Sequence, residues 1–313
     1  MFKSVAKCSA KFSAGVAAGL VLYAAATGLA EAQTDYAAIE ADPAIWSISD
    51  DDSTVYLFGT VHILPPELDW RTEAVDAALA DSQVIYFEAD AISPQAQAQT
   101  QALIPQLGLN APGVTLTSLI SEEAQADMAV IAERIGAAPE ALAAQMDPLQ
   151  PWLASLTLAV LQIQSAGYDP QSGVEYQLAG EAEAAGKAFG YFETIEEQLR
   201  FFADMPMETQ IADFEVGLEQ MVEEPDVLSE LVQTWAVGDM GAIDRAFNED
   251  MRAASADLYD ILIVQRNRNW IPEIEAALAS DQNVFVAVGA GHMPGENGVI
   301  ALLEAQGYEV TRR

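Results

Sequence analysis

Cysteine is almost missing from this 313-residue chain: Cys8 is the only one. No disulfide can form within it, so the core has to hold by packing, and a chain of this length buries enough surface for that. Basic residues are scarce too. Thirteen Lys and Arg stand against 48 Asp and Glu, a net charge of −35. A phosphate backbone needs a basic footprint, so nucleic acid is all but excluded as a partner, and anionic membrane surfaces are disfavoured. The acidic excess reads first as a solvated surface for salty surroundings, where screening blunts self-repulsion. Its other use is attraction of cationic ligands or metal ions. Long apolar runs are limited to one, residues 12–29, near the start of the chain.

That run follows Lys3, Lys7 and Lys11 and precedes Ala30-Glu31-Ala32. This is the layout of a secretory signal cleaved after Ala32. The alternative is an uncleaved membrane anchor, which the Ala- and Gly-rich composition disfavours. Residues 1–32 are therefore expected to be a signal peptide. Residues 33–313 are expected to form one domain, periplasmic or secreted, with no stable membrane insertion after cleavage. Cleavage removes three lysines, Glu31 and Cys8, which leaves 281 residues, a net charge of −37 and Lys187 as the one lysine. Cys8 lies ahead of the apolar run, not at its end, so a lipoprotein acylation site is not expected.

Short β-rich runs recur. Ile45–Ile48 and Val55–Phe58 flank "SDDDST", a hairpin loop. Val84–Phe87 ends in Glu88, and Ala188–Phe192 ends in Glu193. Val284–Val288 leads into Gly289, and Tyr308–Thr311 closes the chain. Their apolar character on both alternations suggests strands covered on both faces. Trp70–Ala80 reads as a crossover helix. Residues from about 95 to 185 are helical in pattern, as are 194–280, with breaks near Pro206, Pro225 and Gly238. Asp147-Pro148-x-Gln150 looks like a capped helix start. Gly307 looks like the stop of the last helix. The expected fold is α/β, with a central mixed sheet built from both ends of the chain and a large helical insertion.

The two histidines, His62 and His292, are the whole complement, and each stands three residues after a glycine. "FGTVH" and "VGAGH" also share a position after a strand. Ligands in open α/β sheets bind just beyond strand carboxyl ends, where Glu88 and Glu193 are also expected. Gly59, Gly289 and Gly291 would let the backbone turn and approach a bound group. Two imidazoles and a carboxylate suit a divalent metal that keeps positions open for water. The plainer reading is that the histidines are ordinary core or loop residues. No His-Glu-x-x-His or Gly-x-Ser-x-Gly segment is present. "GAGHMPG" is no dinucleotide loop, because its third glycine comes late and only 18 residues follow Gly295.

These segments resemble the TraB/GumN family, which includes the Tiki-type metalloproteases. "VYLFGTVHILP" is similar to the family's first Gly-x-x-His segment and "VIYFEAD" to its acidic segment. "SGVEYQLAGEAEAAGKAFGYFETIEEQ" is similar to the middle segment and "QRNRNWIPEIEAAL" to the Arg-Asn segment. "VFVAVGAGHMPGENGVIALLEAQGYEV" is similar to the closing one. The resemblance implies a fold related to erythromycin esterases and ChaN-like proteins. It also implies metal-dependent peptide hydrolysis, supported by manganese or cobalt in the Tiki branch. It makes His62, Glu88 and His292 the metal-ligand candidates, and it puts Arg266 and Asn267 on the Arg-Asn segment. Glu193 falls on the acidic position of the middle segment. Glu175 stands where many members carry Asp. Its spacing from Ser172 also makes a capping box, so a structural role is expected of it.

The expected function is an exported metal-dependent hydrolase, a peptidase, with manganese or cobalt, or else zinc, activating water. Its substrate would be a peptide or small molecule. Glu193 is the weaker candidate for a general base or fourth ligand. Arg266 would orient a carboxylate, stabilise an oxyanion or serve as an ion-pair partner. The rival reading is a binding protein that holds a metal or small ligand at the same residues without turnover. A metal-free esterase with His62 as base is a third.

Overall fold

The computed structural model describes residues 34–313, so the expected signal peptide, its expected cleavage point and Cys8 lie outside the described residues. β1 (Ile45–Ser49) and β2 (Thr54–Thr60) form the hairpin around the acidic loop. The turn is held by the Asp50 carboxylate, which accepts from the Ser53 amide at 2.9 Å. α1 (Glu73–Asp81) leads to β3 (Val84–Phe87). It starts three residues later than the apolar pattern suggests, because Thr72 caps it through the Val75 amide and Trp70 is buried before it.

The helical stretch comprises α2 (Pro94–Leu107), α3 (Leu116–Leu119), α4 (Glu122–Arg134), α5 (Pro139–Met146), α6 (Pro151–Ser165) and α7 (Val174–Ala184). Asp147 does not cap a helix start. It closes α5, and its carboxylate accepts from the Thr117 amide and hydroxyl at 3.0 and 2.6 Å. α6 begins instead with Pro151 in its first turn, where the missing N–H costs nothing. β4 (Ala188–Tyr191) follows, then α8 (Ile195–Ala203), α9 (Met207–Glu223), α10 (Val227–Ala236), α11 (Met240–Ile243), α12 (Asp250–Ala254), α13 (Ala256–Tyr259) and α14 (Gln265–Leu278). The breaks at Pro206, Pro225 and Gly238 fall between these helices, and Gly238 takes a φ of 68°. β5 (Val284–Gly289), α15 (Val299–Ala305) and β6 (Thr311–Arg312) complete the chain. β6 is shorter and later than the pattern suggests, with only Thr311 and Arg312 in register with β1.

The sheet is mixed and six-stranded, in the order β4-β3-β5-β2-β1-β6. β4, β3, β5 and β2 run parallel, and β1 and β6 are antiparallel additions. β5, from the far end of the chain, inserts between β2 and β3, so both ends build the centre. One face packs Phe58, Trp70, Ile85, Trp235 and Phe285 with α1, α7 and α10. The other packs Leu57, Val286 and Val288 against Trp270 and Ile274 of α14 and Leu303 of α15. The central strands are covered on both faces as expected. β4 is not: it is an edge strand, and Phe189 and Tyr191 are exposed on it. α4, α5, α6 and α9 share a separate apolar cluster around Met128, Leu142 and Phe214.

Candidate active site

The parallel order brings four carboxyl ends to one edge of the sheet. Read across it, they carry Glu193 after β4, Glu88 after β3, His292 after β5 and His62 after β2. A cavity of about 120 Å³ opens there, and His62, Glu88, Arg266 and His292 all line it. The two histidines and Glu88 therefore face one space, as their strand positions suggest. Glu193 does not line the cavity; it lies behind Arg266.

Arg266, in the first turn of α14, is the hub. Its guanidinium is planar with five N–H donors, and all five have acceptors. Nε and Nη2 donate to Glu193 Oε1 and Oε2, both at 2.8 Å, a two-pronged pair. Nη2 also donates to Glu88 Oε2 at 2.5 Å. Nη1 donates to the Leu262 carbonyl at 3.2 Å and to His292 Nε2 at 3.1 Å. Burial works against the Arg266 charge, but Glu88 and Glu193 outweigh it and raise its pKa. Glu193 is equally occupied, since Trp270 Nε1 and Gln198 Nε2 also donate to it, at 3.1 and 3.0 Å. With four bonds accepted, Glu193 acts as the anchor of Arg266, and Arg266 has no N–H left for a substrate.

Glu88 accepts from the Gly289 amide at 2.7 Å and from Gln198 at 3.1 Å. Burial opposes its charge, yet Arg266 prevails and holds its pKa well below the usual carboxylate range. A Cβ on Gly289 would lie 3.1 Å from Glu88 Oε1, so the glycine gives the carboxylate room to reach the backbone. His292 is buried and neutral. Asn267 fixes its tautomer: the Asn amide nitrogen donates to the Asn297 and His292 carbonyls, which turns Oδ1 toward His292 Nδ1, at 2.7 Å. Nδ1 therefore carries the proton, and Nε2 accepts from Arg266. Burial, then the Arg266 charge, push the His292 pKa down to about 3.

His62 differs in kind. Its Nδ1 lies 2.7 Å from Glu175 Oε1, and its side chain is 36% exposed. Burial opposes a charge on the ring, but Glu175 outweighs it and carries the pKa up to about 9. A ring this open to solvent bears only part of the burial cost. Glu175 is also bonded by the Thr60 hydroxyl, and its Oε2 is buried with no hydrogen-bond partner. The expected capping role of Glu175 is thus incorrect. Gly173 is the residue before α7, with no side-chain cap, and Ser172 sits in a separate turn. The Glu175 side chain reaches across to β2 instead. A Cβ on Gly173 would collide with the His62 carbonyl, so glycine is what lets α7 approach close enough. Gln198 and Asn267 complete the site. Gln198 carries no sequence signal, whereas Asn267 stands beside Arg266.

Whether these residues fit a divalent ion depends on where their lone pairs point. The one lone pair of His292 Nε2 is taken by Arg266, and both Glu88 oxygens already accept N–H groups. Among the described residues no group of three His, Cys, Asp or Glu is disposed to hold a metal ion. As arranged, the side chains do not present three free ligands to one point.

A family model described as the TraB/PrgY/gumN family matches residues 44–312. Similar proteins include the uncharacterized protein YbaP of Escherichia coli (strain K12), 27% identical over 191 residues, 60% of this chain and 67% of that one. Metalloprotease TIKI1 of Xenopus tropicalis is 24% identical over 85% of this chain, and metalloprotease TIKI2 of the same organism is 25% identical over 82%. The chain spans 60% and 57% of the lengths of those two proteins. No solved structure matches.

Proposed function

From the premise that the chain belongs to the TraB/PrgY/gumN family, we propose that it is an exported hydrolase of peptide substrates with His62 as its proton-transfer group. One observation carries this: His62 lines the cavity with its Nδ1 held by Glu175 at 2.7 Å, which leaves Nε2 to face a substrate. Neutral Nε2 takes a proton from water as the water oxygen bonds to the scissile carbonyl carbon. The Glu175 carboxylate stabilises the imidazolium that forms. Nε2–H then returns the proton to the leaving nitrogen as the C–N bond breaks. Glu175 acts through His62 and is a positioning residue. Arg266, Glu193 and Asn267 fix the floor of the cavity. The names of the two Xenopus relatives support peptide bonds as the target. The location, periplasmic or secreted, rests on the signal peptide expected from the sequence of residues 1–32. Among the described residues no helix is long and apolar enough to cross a membrane. Kinship of the fold with erythromycin esterases and ChaN-like proteins belongs to the same proposal.

A second reading is favoured by the charge balance. Three carboxylates, Glu88 and Glu193 on Arg266 and Glu175 on His62, outnumber the one guanidinium, and Glu175 Oε2 is buried without a donor. Manganese, cobalt or zinc held by His62, Glu88 and His292 would meet that excess, but Arg266 would first have to release His292 Nε2. The test is hydrolysis of a peptide library by the purified protein, with and without chelator, alongside its metal content. Turnover lost in His62→Ala and unaffected by chelator supports His62 alone. Turnover lost with chelator and regained with metal supports the second reading. Ligand capture at the cavity with no turnover supports a binding protein.

A further inference from the structure

A second, larger cavity of about 760 Å³ adjoins the first, and Phe202, Leu228, Leu231 and Phe247 line both. It lies between α6, α9 and α10, and its volume is that of a ligand pocket. Trp152, Leu156, Phe214 and Leu218 give it apolar walls. Its charged groups are one-sided. Asp35, Glu67, Asp213, Glu224 and Asp226 line it, with no Lys, Arg or His among the lining residues. Gln210 adds a neutral acceptor. Only 3% exposed, it spends its Nε2 on the Met205 and Ala203 carbonyls, at 2.9 and 3.4 Å, which fixes the amide orientation. Its Oε1 is left buried with no donor. The cavity therefore offers apolar surface, carboxylates and the unmet Gln210 oxygen, with no cationic side chain among the described residues that line it.

We infer that this cavity is the substrate subsite for a cationic amphipathic peptide, whose apolar side chains fill it while its ammonium groups meet the carboxylates and Gln210. The cleavage step after binding rests on the hydrolase reading, since the shared wall would bring the peptide's continuation to His62. A free fatty acid is repelled by the acidic lining, and a neutral hydrocarbon leaves the buried Gln210 Oε1 unmet. A peptide with both apolar and ammonium groups satisfies both features. The chain's net charge of −35 also draws such a peptide in from a distance.

The test measures binding on His62→Ala, where turnover cannot intrude, by fluorescence anisotropy at physiological salt. The probes are a labelled Leu/Lys amphipathic peptide, its Leu/Glu counterpart, and a Lys/Ser peptide of equal positive charge. The Leu/Lys peptide is expected to bind at least tenfold more tightly than either. Ala159→Trp, which fills the cavity from α6, is expected to weaken it at least tenfold. Glu224→Gln with Asp226→Asn changes charge but little shape, and is expected to weaken it several-fold and flatten its salt dependence. Equal binding of the Leu/Lys and Lys/Ser peptides would overturn the subsite, as would equal or tighter binding of the Leu/Glu peptide. So would a folded Ala159→Trp variant that binds as before. If Ala159→Trp does not fold, the charge variant decides, and unchanged binding in it overturns the inference. Tight Leu/Lys binding with no cleavage by the wild type would sink the hydrolase reading and leave the subsite standing. Cleavage of peptides without this preference would do the reverse.

Discussion

Glu175 Oε1 lies 2.7 Å from His62 Nδ1, joining the start of α7 to the turn after β2. Because the chain has two histidines, each imidazole is separately visible by NMR. One is expected to titrate with a midpoint near 9 and the other to stay neutral down to about 3. Glu175→Gln removes the carboxylate and is expected to bring the first midpoint down toward the ordinary 6.5. A raised folded-state pKa stabilises the protonated protein, so the pair's contribution to stability is full below 6.5 and is lost as pH rises through about 9. Two midpoints near 6.5 in the wild type would refute the pairing.

Arg266 is buried with five satisfied donors. Arg266→Met leaves Glu88 and Glu193 buried without their counter-charge, so a loss of about 3–5 kcal/mol is expected in chemical denaturation. Arg266→Lys restores the charge and not the planar fork, so it is expected to recover only part of that loss. A full recovery with Lys would show that the fork geometry is unimportant.

Two glycines of one segment are expected to respond in opposite senses. Gly180, inside α7, has open space where a Cβ would go, so Gly180→Ala is expected to stabilise by about 0.5–1 kcal/mol. Gly173→Ala would collide with the His62 carbonyl and is expected to destabilise and to displace His62. Thermal denaturation of both variants, with the histidine NMR midpoints, checks this. A Gly173→Ala variant with the wild-type melting temperature and midpoints would contradict the close approach of α7 to His62.

The positions of His62, Glu88 and His292 are legible in the sequence because each comes after a strand, and strand ends on a parallel sheet converge. The strands themselves are legible because β2, β3 and β5 are apolar on both faces. Glu175 is not, because its local spacing from Ser172 fits a helix cap equally well, and only the approach of α7 to β2 decides between the two. Arg266 is visible as a motif residue, but its role depends on which carboxylates surround it, which no linear pattern states. Gln198 gives no signal, since its amide matters only through the two glutamates it bridges. β4 reads as covered, though it is not, because pattern alone does not distinguish an edge strand from a central one.

Proton transfer by His62 is tested most directly by the pH dependence of peptide turnover in the wild type, His62→Ala and Glu175→Gln. Cleavage of a peptide library, monitored by mass spectrometry with and without chelator, supplies the rate. Wild-type turnover is expected to rise with pH through a midpoint near 9 to a plateau above it, as His62 loses its proton. His62→Ala is expected to lose about 10²–10⁴-fold of the rate. Glu175→Gln is expected to keep a reduced rate with its rising limb moved toward neutral pH. Wild-type turnover that persists in His62→Ala, with the same pH profile, would contradict the assignment of His62.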